Sequence, residues 1–261
     1  MTRVLSAVVL LALLIATVWL LPAIWTLAVA ELVALLAFLE YAALAAALGA
    51  HVPRLIGGAA VLATCAATGV PGVPVEIVLM TAVIVTGALA VAGGQPGGAV
   101  LRDTAAAILP ILYIGLPLGA LAAVRAVGGR MAILVLFVVM VVSDSAQYYT
   151  GRAMGRRPLA PAISPKKTVE GAIGGLVLGT AAMIVAGRLA FGEPRLELLA
   201  VLGAAVVALG IVGDLFESLL KRSAGVKDSS TLIPGHGGVL DRIDSWLFAA
   251  PAYYVFVRYL Q

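Results

Sequence analysis

The charged residues that could do chemistry in this 261-residue chain gather in two segments. Segment 149–168 carries five basic residues and no acidic residue, whereas segment 214–244 mixes both kinds. The ionisable residues of the second segment are Asp214, Glu217, Lys221, Arg222, Lys227, Asp228, His236, Asp241, Arg242 and Asp244. Carboxylates beside cations are expected where a divalent metal bridges phosphate oxygens and basic groups neutralise the remaining charge. We therefore expect a site for phosphate-bearing ligands.

The spacing within the second segment supports this expectation. Asp241 and Asp244 are three residues apart, so on a helical turn both carboxylates share one face. The turn 233–238 (IPGHGG) is rich in glycine, and its backbone N–H groups can approach an anion closely. It is not a nucleotide-binding P-loop, because the chain has no GxxxxGK[ST] pattern. A glycine-rich turn is as often a plain interhelical loop, so it is weak support by itself.

Several polar residues also have ordinary structural interpretations. Lys221 and Arg222 at a helix end would serve as interfacial anchors, and Glu217 with Lys221 is an i,i+4 pair of a common structural kind. A lone histidine such as His236 is more often a satisfied loop residue than a functional one. Three glutamates lie in or near apolar runs: Glu31, Glu40 and Glu76. Their positions favour roles in packing or hydrogen bonding over roles in a functional site.

The elements that must position these residues are hydrophobic. The chain is 62% hydrophobic and only 11% charged, with a mean hydropathy of +1.12. An ordinary soluble domain is about 25% charged, and disordered chains are poor in apolar residues, so both classes are excluded. The single cysteine, Cys65, excludes an internal disulfide and a CxxC motif. We therefore expect an all-α protein, a polytopic membrane bundle of helices.

Apolar runs between charges, glycine clusters and prolines predict about nine transmembrane helices, each near the ~20 residues that a span needs. The runs are 4–20, 23–48, 55–70, 74–93, 103–123, 131–148, 169–188, 196–215 and 246–260. Pro110 and Pro117 predict a kink in the fifth run. Asp144 lies near the end of the sixth run, where a carboxylate needs a partner or an aqueous cavity.

The distribution of charge predicts the orientation. With this span count, most of the 17 Lys and Arg residues, including both charged segments, lie on the side of the N-terminus. The positive-inside rule places that side in the cytoplasm. No internal repeat or linker is visible, which predicts a single integral membrane domain over 1–261. Its mainly hydrophobic N-terminal helices occupy 1–130, and its catalytic half, with two cytoplasmic polar loops, occupies 131–261.

The second charged segment resembles a known family signature. The run 218–244, SLLKRSAGVKDSSTLIPGHGGVLDRID, is similar to that of the phosphatidate cytidylyltransferases, also called CDP-diacylglycerol synthases. Upstream, 144–151 (DSAQYYTG) and 164–171 (SPKKTVEG) resemble two further blocks of the family. The similarity is close over roughly 135–250, and the N-terminal half matches mainly in hydropathy. One departure is Gln147, where the family more often has alanine.

The resemblance implies a reaction. Phosphatidic acid would attack the α-phosphorus of CTP, giving CDP-diacylglycerol and pyrophosphate, with Mg²⁺ required and a second cation possible. The nucleophile is ionised near neutral pH, which fits the absence of a Ser-His-Asp type of arrangement. The lipid bilayer and a second copy of the chain in a homodimer are further expected partners, and no nucleic acid is expected. The expected location is a bacterial cell (inner) membrane, with the active site facing the cytoplasm.

The resemblance also implies roles for the matched residues. Asp214 and Asp241 are the first choices for metal ligands, with Asp144 and Asp244 as second choices. The basic residues expected to bind the triphosphate and the phosphatidate head are Lys167, Lys221, Arg222, Lys227 and Arg242. The residues expected to shape the loop over the phosphates are Asp228, His236, Gly237 and Gly238. Additional substrate-binding residues are Ser164, Lys166, Thr168 and Ser218.

Two other functions stay open at this point. One is a related membrane enzyme, either a CTP-dependent lipid kinase or a CDP-alcohol phosphotransferase. The other is a transporter with its charged site at the membrane midplane. Transporters tend to show internal repeats and paired broken helices, whereas this sequence shows no repeat and gathers its charge at one surface.

Overall fold

The computed structural model of the chain describes residues 12, 15–94, 96–192, 195–235 and 237–259. These residues form two compact units. The first unit consists of the described residues within Met1–Ala126 and Ser223–Arg242, and the second of those within Val127–Arg222 and Ile243–Gln261. The signature run 218–244 therefore contributes residues to both units.

The helices dominate the described residues. They are α1 (Ala23–Ala47), α2 (Arg54–Gly69), α3 (Val75–Ala92), α4 (Gly98–Pro110), α5 (Leu116–Met154), α6 (Val169–Phe191), α7 (Leu196–Ser223) and α8 (Leu240–Tyr259). A π-helical turn, Ile111–Gly115, joins α4 to α5. It lies between Pro110 and Pro117, where the missing N–H groups prevent regular α-helical bonding. Helix α5 is interrupted at Gly129, whose φ of 75° and ψ of −168° suit only glycine.

A short hairpin in the second unit precedes α6. Its strands, β1 (Pro158–Ala160) and β2 (Ser164–Thr168), are antiparallel and pair Pro158 with Thr168 and Ala160 with Ser164. The Thr168 hydroxyl accepts a hydrogen bond from Gly171 N and so caps α6. The Glu170 carboxylate accepts two more, from the backbone N–H groups of residues 156 and 157, at 2.9 and 3.2 Å. Both ends of the hairpin are thereby tied to α6.

Glycines allow close helix packing within each unit. In the first unit, a Cβ on Gly115 would lie 2.6 Å from Val61 O, and one on Gly119 would lie 2.5 Å from Cys65 O. Membrane helices approach each other closely through such small residues spaced four apart. In the second unit, a Cβ on Gly179 would lie 3.0 Å from Ser143 Cβ, so α6 packs directly on the part of α5 that carries Asp144.

The described helices confirm an all-α architecture with apolar helices, apart from the hairpin. Within the described residues, five helical stretches are long and apolar enough to cross a membrane: Ala23–Ala47, Val75–Ala92, Gly98–Met154, Val169–Phe191 and Leu196–Ser223. The predicted run 4–20 lies mostly outside the described residues. The predicted runs 103–123 and 131–148 form one helical stretch, interrupted at Gly129. The count of about nine spans and the cytoplasmic N-terminus stay predictions.

Both charged segments contain more helix and strand than the apolar runs predict. Helix α5 continues to Met154, beyond the predicted end at 148, and the hairpin fills most of the remaining segment. Helix α7 continues to Ser223, beyond the predicted end at 215, because its acidic residues have basic partners and can stay on a helix. The connection between α7 and α8, called here the signature loop, is therefore only residues 224–239.

Candidate functional site

Three aspartates and a lysine from four elements come together in the second unit. The ammonium group of Lys167, on β2, forms an ion pair with Oδ2 of Asp214, which lies within α7. Asp214 also interacts electrostatically with Asp144 on α5 and with Asp244 on α8. We call these four residues the aspartate–lysine cluster. All four were predicted as site residues, and the structure brings them together.

Local packing explains how the helices present these side chains. A Cβ on Gly213 would lie 2.5 Å from the backbone oxygen of Asp244, so this glycine lets α7 and α8 approach beside Asp214. Ser218, one turn further along α7, donates a hydrogen bond to Asp214 Oδ1 at 3.5 Å. Asp244 Oδ1 accepts a hydrogen bond from Ser245 N at 2.7 Å. The aspartates are therefore oriented by their own helices.

Gln147 is a site residue that sequence reasoning did not select. Its side-chain amide donates hydrogen bonds to Asp144 Oδ1 at 3.2 Å and to Ser143 Oγ at 3.3 Å. The sequence marked Gln147 only as a departure from the family pattern. Its spacing of three residues from Asp144 on a helix was the signal that could have indicated the contact.

The electrostatics of the cluster disfavour a second ionised aspartate beside Asp214. Helix α8, which carries Asp244, is not among the five stretches that could cross a membrane. Burial raises the pKa of Asp244, and the charge on Asp214 raises it further, whereas Ser245 N–H, Lys167 and Lys221 oppose this change. Ionised Asp244 is therefore disfavoured beside Asp214, and a cation between them would reverse that effect.

The donor set suits Mg²⁺ shared with a ligand. Within the described residues, no three His, Cys, Asp or Glu side chains converge closely enough to form a metal site by themselves. Protein Mg²⁺ sites commonly use one or two carboxylates, with waters and substrate phosphates completing the octahedron. Asp214 with Asp144 or Asp244 therefore fits as a partial ligand set. The assignment of these residues as metal ligands stays a prediction.

Lys221 and Glu217 form the i,i+4 ion pair that their spacing predicted, and the pair is buried. The exposed fraction of Glu217 is 0%, and that of Lys221 is 8%. Lys221 also acts electrostatically on Asp244, which connects the pair to the aspartate–lysine cluster. Its predicted contact with substrate stays a prediction.

We expect Lys221→Ala to destabilise the protein, because Glu217 would then be a buried carboxylate without its lysine. Breaking a buried ion pair typically costs about 3–5 kcal/mol. The double variant Lys221→Met with Glu217→Gln is expected to lose less stability, because it buries no charge. Thermal unfolding in detergent measures both effects. A single variant that unfolds at the wild-type temperature would show that the pair does not stabilise the fold.

A second polar cluster lies in the first unit, where two carboxylates bind the signature loop. Oδ2 of Asp241 accepts hydrogen bonds from Ser229 N, Ser229 Oγ and Gly238 N, at 2.9, 2.8 and 2.7 Å. Glu40, from α1, accepts four hydrogen bonds from residues 229, 230, 239 and 240. Asp241 thus braces the loop, and its role as a metal ligand stays a prediction.

Two glycines of the signature loop are required by its geometry. Gly237 has a φ of +81°, and its carbonyl accepts a hydrogen bond from Ile233 N at 2.8 Å, which closes the turn. A Cβ on Gly238 would lie 2.5 Å from Glu40 Oε2 and still closer to Ser229 Oγ. The N–H of Gly238 is engaged by Asp241, so it does not point at an open anion site in this structure. Substrate binding by the two glycines stays a prediction.

The remaining predicted residues are distributed over both units. The exposed ones are Lys166, Arg222, Lys227, Asp228 and Arg242. Ser164 is partly buried on β2, where Thr168 caps α6. His236 lies outside the described residues. The functions assigned to all of these residues stay predictions.

Apolar helices that place three aspartates beside a lysine of the hairpin define a helical protein of membrane type with a polar cluster in its second unit. The chain belongs to the cytidylyltransferase family, whose model matches residues 1–260. It is therefore a nucleotidyltransferase, as the sequence motifs predicted.

Individual relatives carry a more specific name. The chain is 40% identical over 193 residues to a phosphatidate cytidylyltransferase of Helicobacter pylori strain J99. The aligned region covers 73% of this chain and 68% of the relative. It is 44% identical over 132 residues to one of Haemophilus influenzae, covering 49% and 46% of the two chains. It is 49% identical over 112 residues to one of Pseudomonas aeruginosa, covering 42% and 41%.

Proposed function

We propose that the protein transfers CMP from CTP to phosphatidic acid, giving CDP-diacylglycerol and pyrophosphate in phospholipid biosynthesis. The observation that carries this proposal is the ion pair of Lys167 with Asp214 beside two further aspartates. Relatives 40–49% identical to the chain that are named phosphatidate cytidylyltransferases support the choice of substrates.

In the proposed reaction, a phosphate oxygen of phosphatidic acid attacks the α-phosphorus of CTP. The new P–O bond forms as the bond between the α-phosphorus and its bridging oxygen breaks, and the electron pair leaves with pyrophosphate. A phosphate monoester is already ionised near neutral pH, so no strong general base is needed. The main task of the protein is to bring two anions together and to offset their repulsion.

The cluster residues have distinct tasks in this proposal. Lys167 neutralises a phosphate oxygen, and Asp214 orients its ammonium group. Asp214, with Asp144 or Asp244, would hold Mg²⁺, which when bound supplies charge neutralisation at the triphosphate. Asp241 is kept as a predicted ligand, and the predicted phosphate contacts of the other basic residues are kept as part of the proposal: Lys221, Arg222, Lys227 and Arg242.

One substrate is a lipid and the other a soluble nucleotide, so the site is proposed to lie near a membrane surface. We propose the cytoplasmic face of a bacterial inner membrane, because the positive-inside rule assigns the charged segments to that side. A bundle of about nine spans and a homodimer complete the proposal. Five apolar helical stretches within the described residues support integral membrane insertion.

We expect purified protein, given CTP labelled at the α-phosphate, phosphatidic acid and Mg²⁺, to form labelled CDP-diacylglycerol and one pyrophosphate per lipid. Chelation with EDTA should lower the rate at least ~100-fold, because the charge that develops on the phosphate oxygens would no longer be neutralised by a metal ion. Added MgCl₂ should restore the rate. Chromatography of the lipid and nucleotide products measures the outcome.

The products also discriminate among the alternatives. Release of CDP would indicate a CTP-dependent lipid kinase, and release of CMP from a CDP-linked substrate would indicate a CDP-alcohol phosphotransferase. No lipid-linked cytidylate from folded protein, judged by a cooperative thermal transition, would contradict the proposal.

A further inference from the structure

We infer that Glu40 is a positioning residue, which keeps the signature loop in the shape that the reaction needs without contacting substrate itself. This inference rests on the proposed function. Glu40 lies on α1 and is 6% exposed. Its partners in the loop and at the start of α8 are 189 to 200 residues away in sequence. A buried carboxylate with no partner would be costly, so its bonds to the loop are strongly favoured.

The hydrogen bonds of Glu40 are divided evenly between its two oxygens. Oε1 accepts from Ser230 Oγ at 2.6 Å and from Val239 N at 2.9 Å. Oε2 accepts from Ser229 Oγ at 2.9 Å and from Leu240 N at 2.8 Å. Each oxygen thus binds one hydroxyl of the loop and one backbone amide at the N-terminus of α8. An anion at a helix N-terminus satisfies amides that lack a partner within the helix.

Asp241 also accepts hydrogen bonds from the signature loop and stabilises it together with Glu40. The Ser229 hydroxyl lies 2.9 Å from Glu40 Oε2 and 2.8 Å from Asp241 Oδ2. Because a hydroxyl has one proton, it can donate to only one carboxylate at a time. The backbone amides therefore provide the more persistent bonds. The two carboxylates bind the loop at residues 229–230 and again at residues 238–240, and most of the predicted phosphate-binding turn, 233–238, lies between these two places. Displacement of Glu40 would alter the position of the turn and of Asp241 together.

Glutamine cannot replace Glu40, although it has the same shape. Whichever way the side-chain amide is turned, its NH₂ group faces one of the two backbone amides, and two donors cannot bond. We therefore expect Glu40→Gln to lower kcat/KM for phosphatidic acid and CTP at least ~10-fold in protein that remains folded, because small displacements near reacting groups have large effects. Ser229→Ala should have a smaller effect, since each carboxylate keeps its amide donors.

The chain offers a matched control. Glu31 lies on the same helix and is also partly buried, but none of the hydrogen bonds described for the signature loop involves it. Glu31→Gln should therefore leave turnover unchanged. A second measurement, independent of activity, is the rate of tryptic cleavage after Lys227, followed by mass spectrometry. Local opening of the loop should raise that rate several-fold in Glu40→Gln and not in Glu31→Gln.

The two measurements separate the possible outcomes. Faster cleavage together with lower kcat/KM in Glu40→Gln, and neither change in Glu31→Gln, would support the inference. Wild-type kcat/KM in folded Glu40→Gln would overturn it, whatever the cleavage rate. If wild-type protein itself makes no CDP-diacylglycerol, the proposed function fails, and the cleavage rate still reports whether Glu40 restrains the loop.

Discussion

Replacing Asp214 by asparagine is expected to lower the rate of CDP-diacylglycerol formation at least ~100-fold, which is the scale of loss when a transition-state charge interaction is removed. Asp214 is the residue through which the cluster is connected, because it pairs with Lys167 and interacts with Asp144 and Asp244. The neutral amide would orient the Lys167 ammonium more weakly and would be a poor Mg²⁺ ligand. Initial rates with saturating CTP and phosphatidic acid measure the loss.

Asp103→Asn is the matched control for this substitution. The Asp103 side chain is 29% exposed and pairs with Arg102 at 2.9 Å, and the Asp214 side chain is 32% exposed and pairs with Lys167. Asp103 belongs to the first unit and has no predicted role in the reaction. We expect wild-type turnover from Asp103→Asn. Near-normal turnover from Asp214→Asn, or an equal loss from both variants, would contradict the central role of Asp214.

Replacing Gly238 by alanine is expected to lower turnover at least ~10-fold and to lower the unfolding temperature. The added Cβ would meet Ser229 Oγ and would lie 2.5 Å from Glu40 Oε2. Neither group can move without losing hydrogen bonds to the loop or to α8. Overpacking of this kind costs about 1–3 kcal/mol. Thermal unfolding and initial rates on the same preparation separate the effect on stability from the effect on the site.

The control for Gly238→Ala is Gly98→Ala, at the first residue of α4. A Cβ there would meet no atom within 4 Å, so the same chemical change adds no contact. We expect wild-type stability and turnover from it. If Gly238→Ala behaves like this control, the close packing of the signature loop against Glu40 is not needed for activity.

Contacts that depend on local spacing could be predicted from the sequence. Glu217 and Lys221 are four apart on a helix, and they form the expected ion pair. The apolar runs located α1, α2, α3 and α6 within about three residues at each end. The continuation of α7 past Asp214 could not be predicted, because Asp214 depends on Lys167 from a distant strand. A prediction from hydropathy alone places the end of a membrane helix where charged residues begin.

The sequence by itself was enough to identify the family and its nucleotidyltransferase class, and its composition predicted the apolar helices. Motif spacing and composition are properties of the chain, and they do not depend on how its helices are arranged. Only the tertiary structure decided which carboxylates act together and that Glu40 is bonded to the signature loop. Glu40 and Ser230 are 190 positions apart, and no local pattern records their contact. Packing of α1 against the loop brings a buried carboxylate to unsatisfied amides, and the free energy of burying both groups makes that pairing necessary.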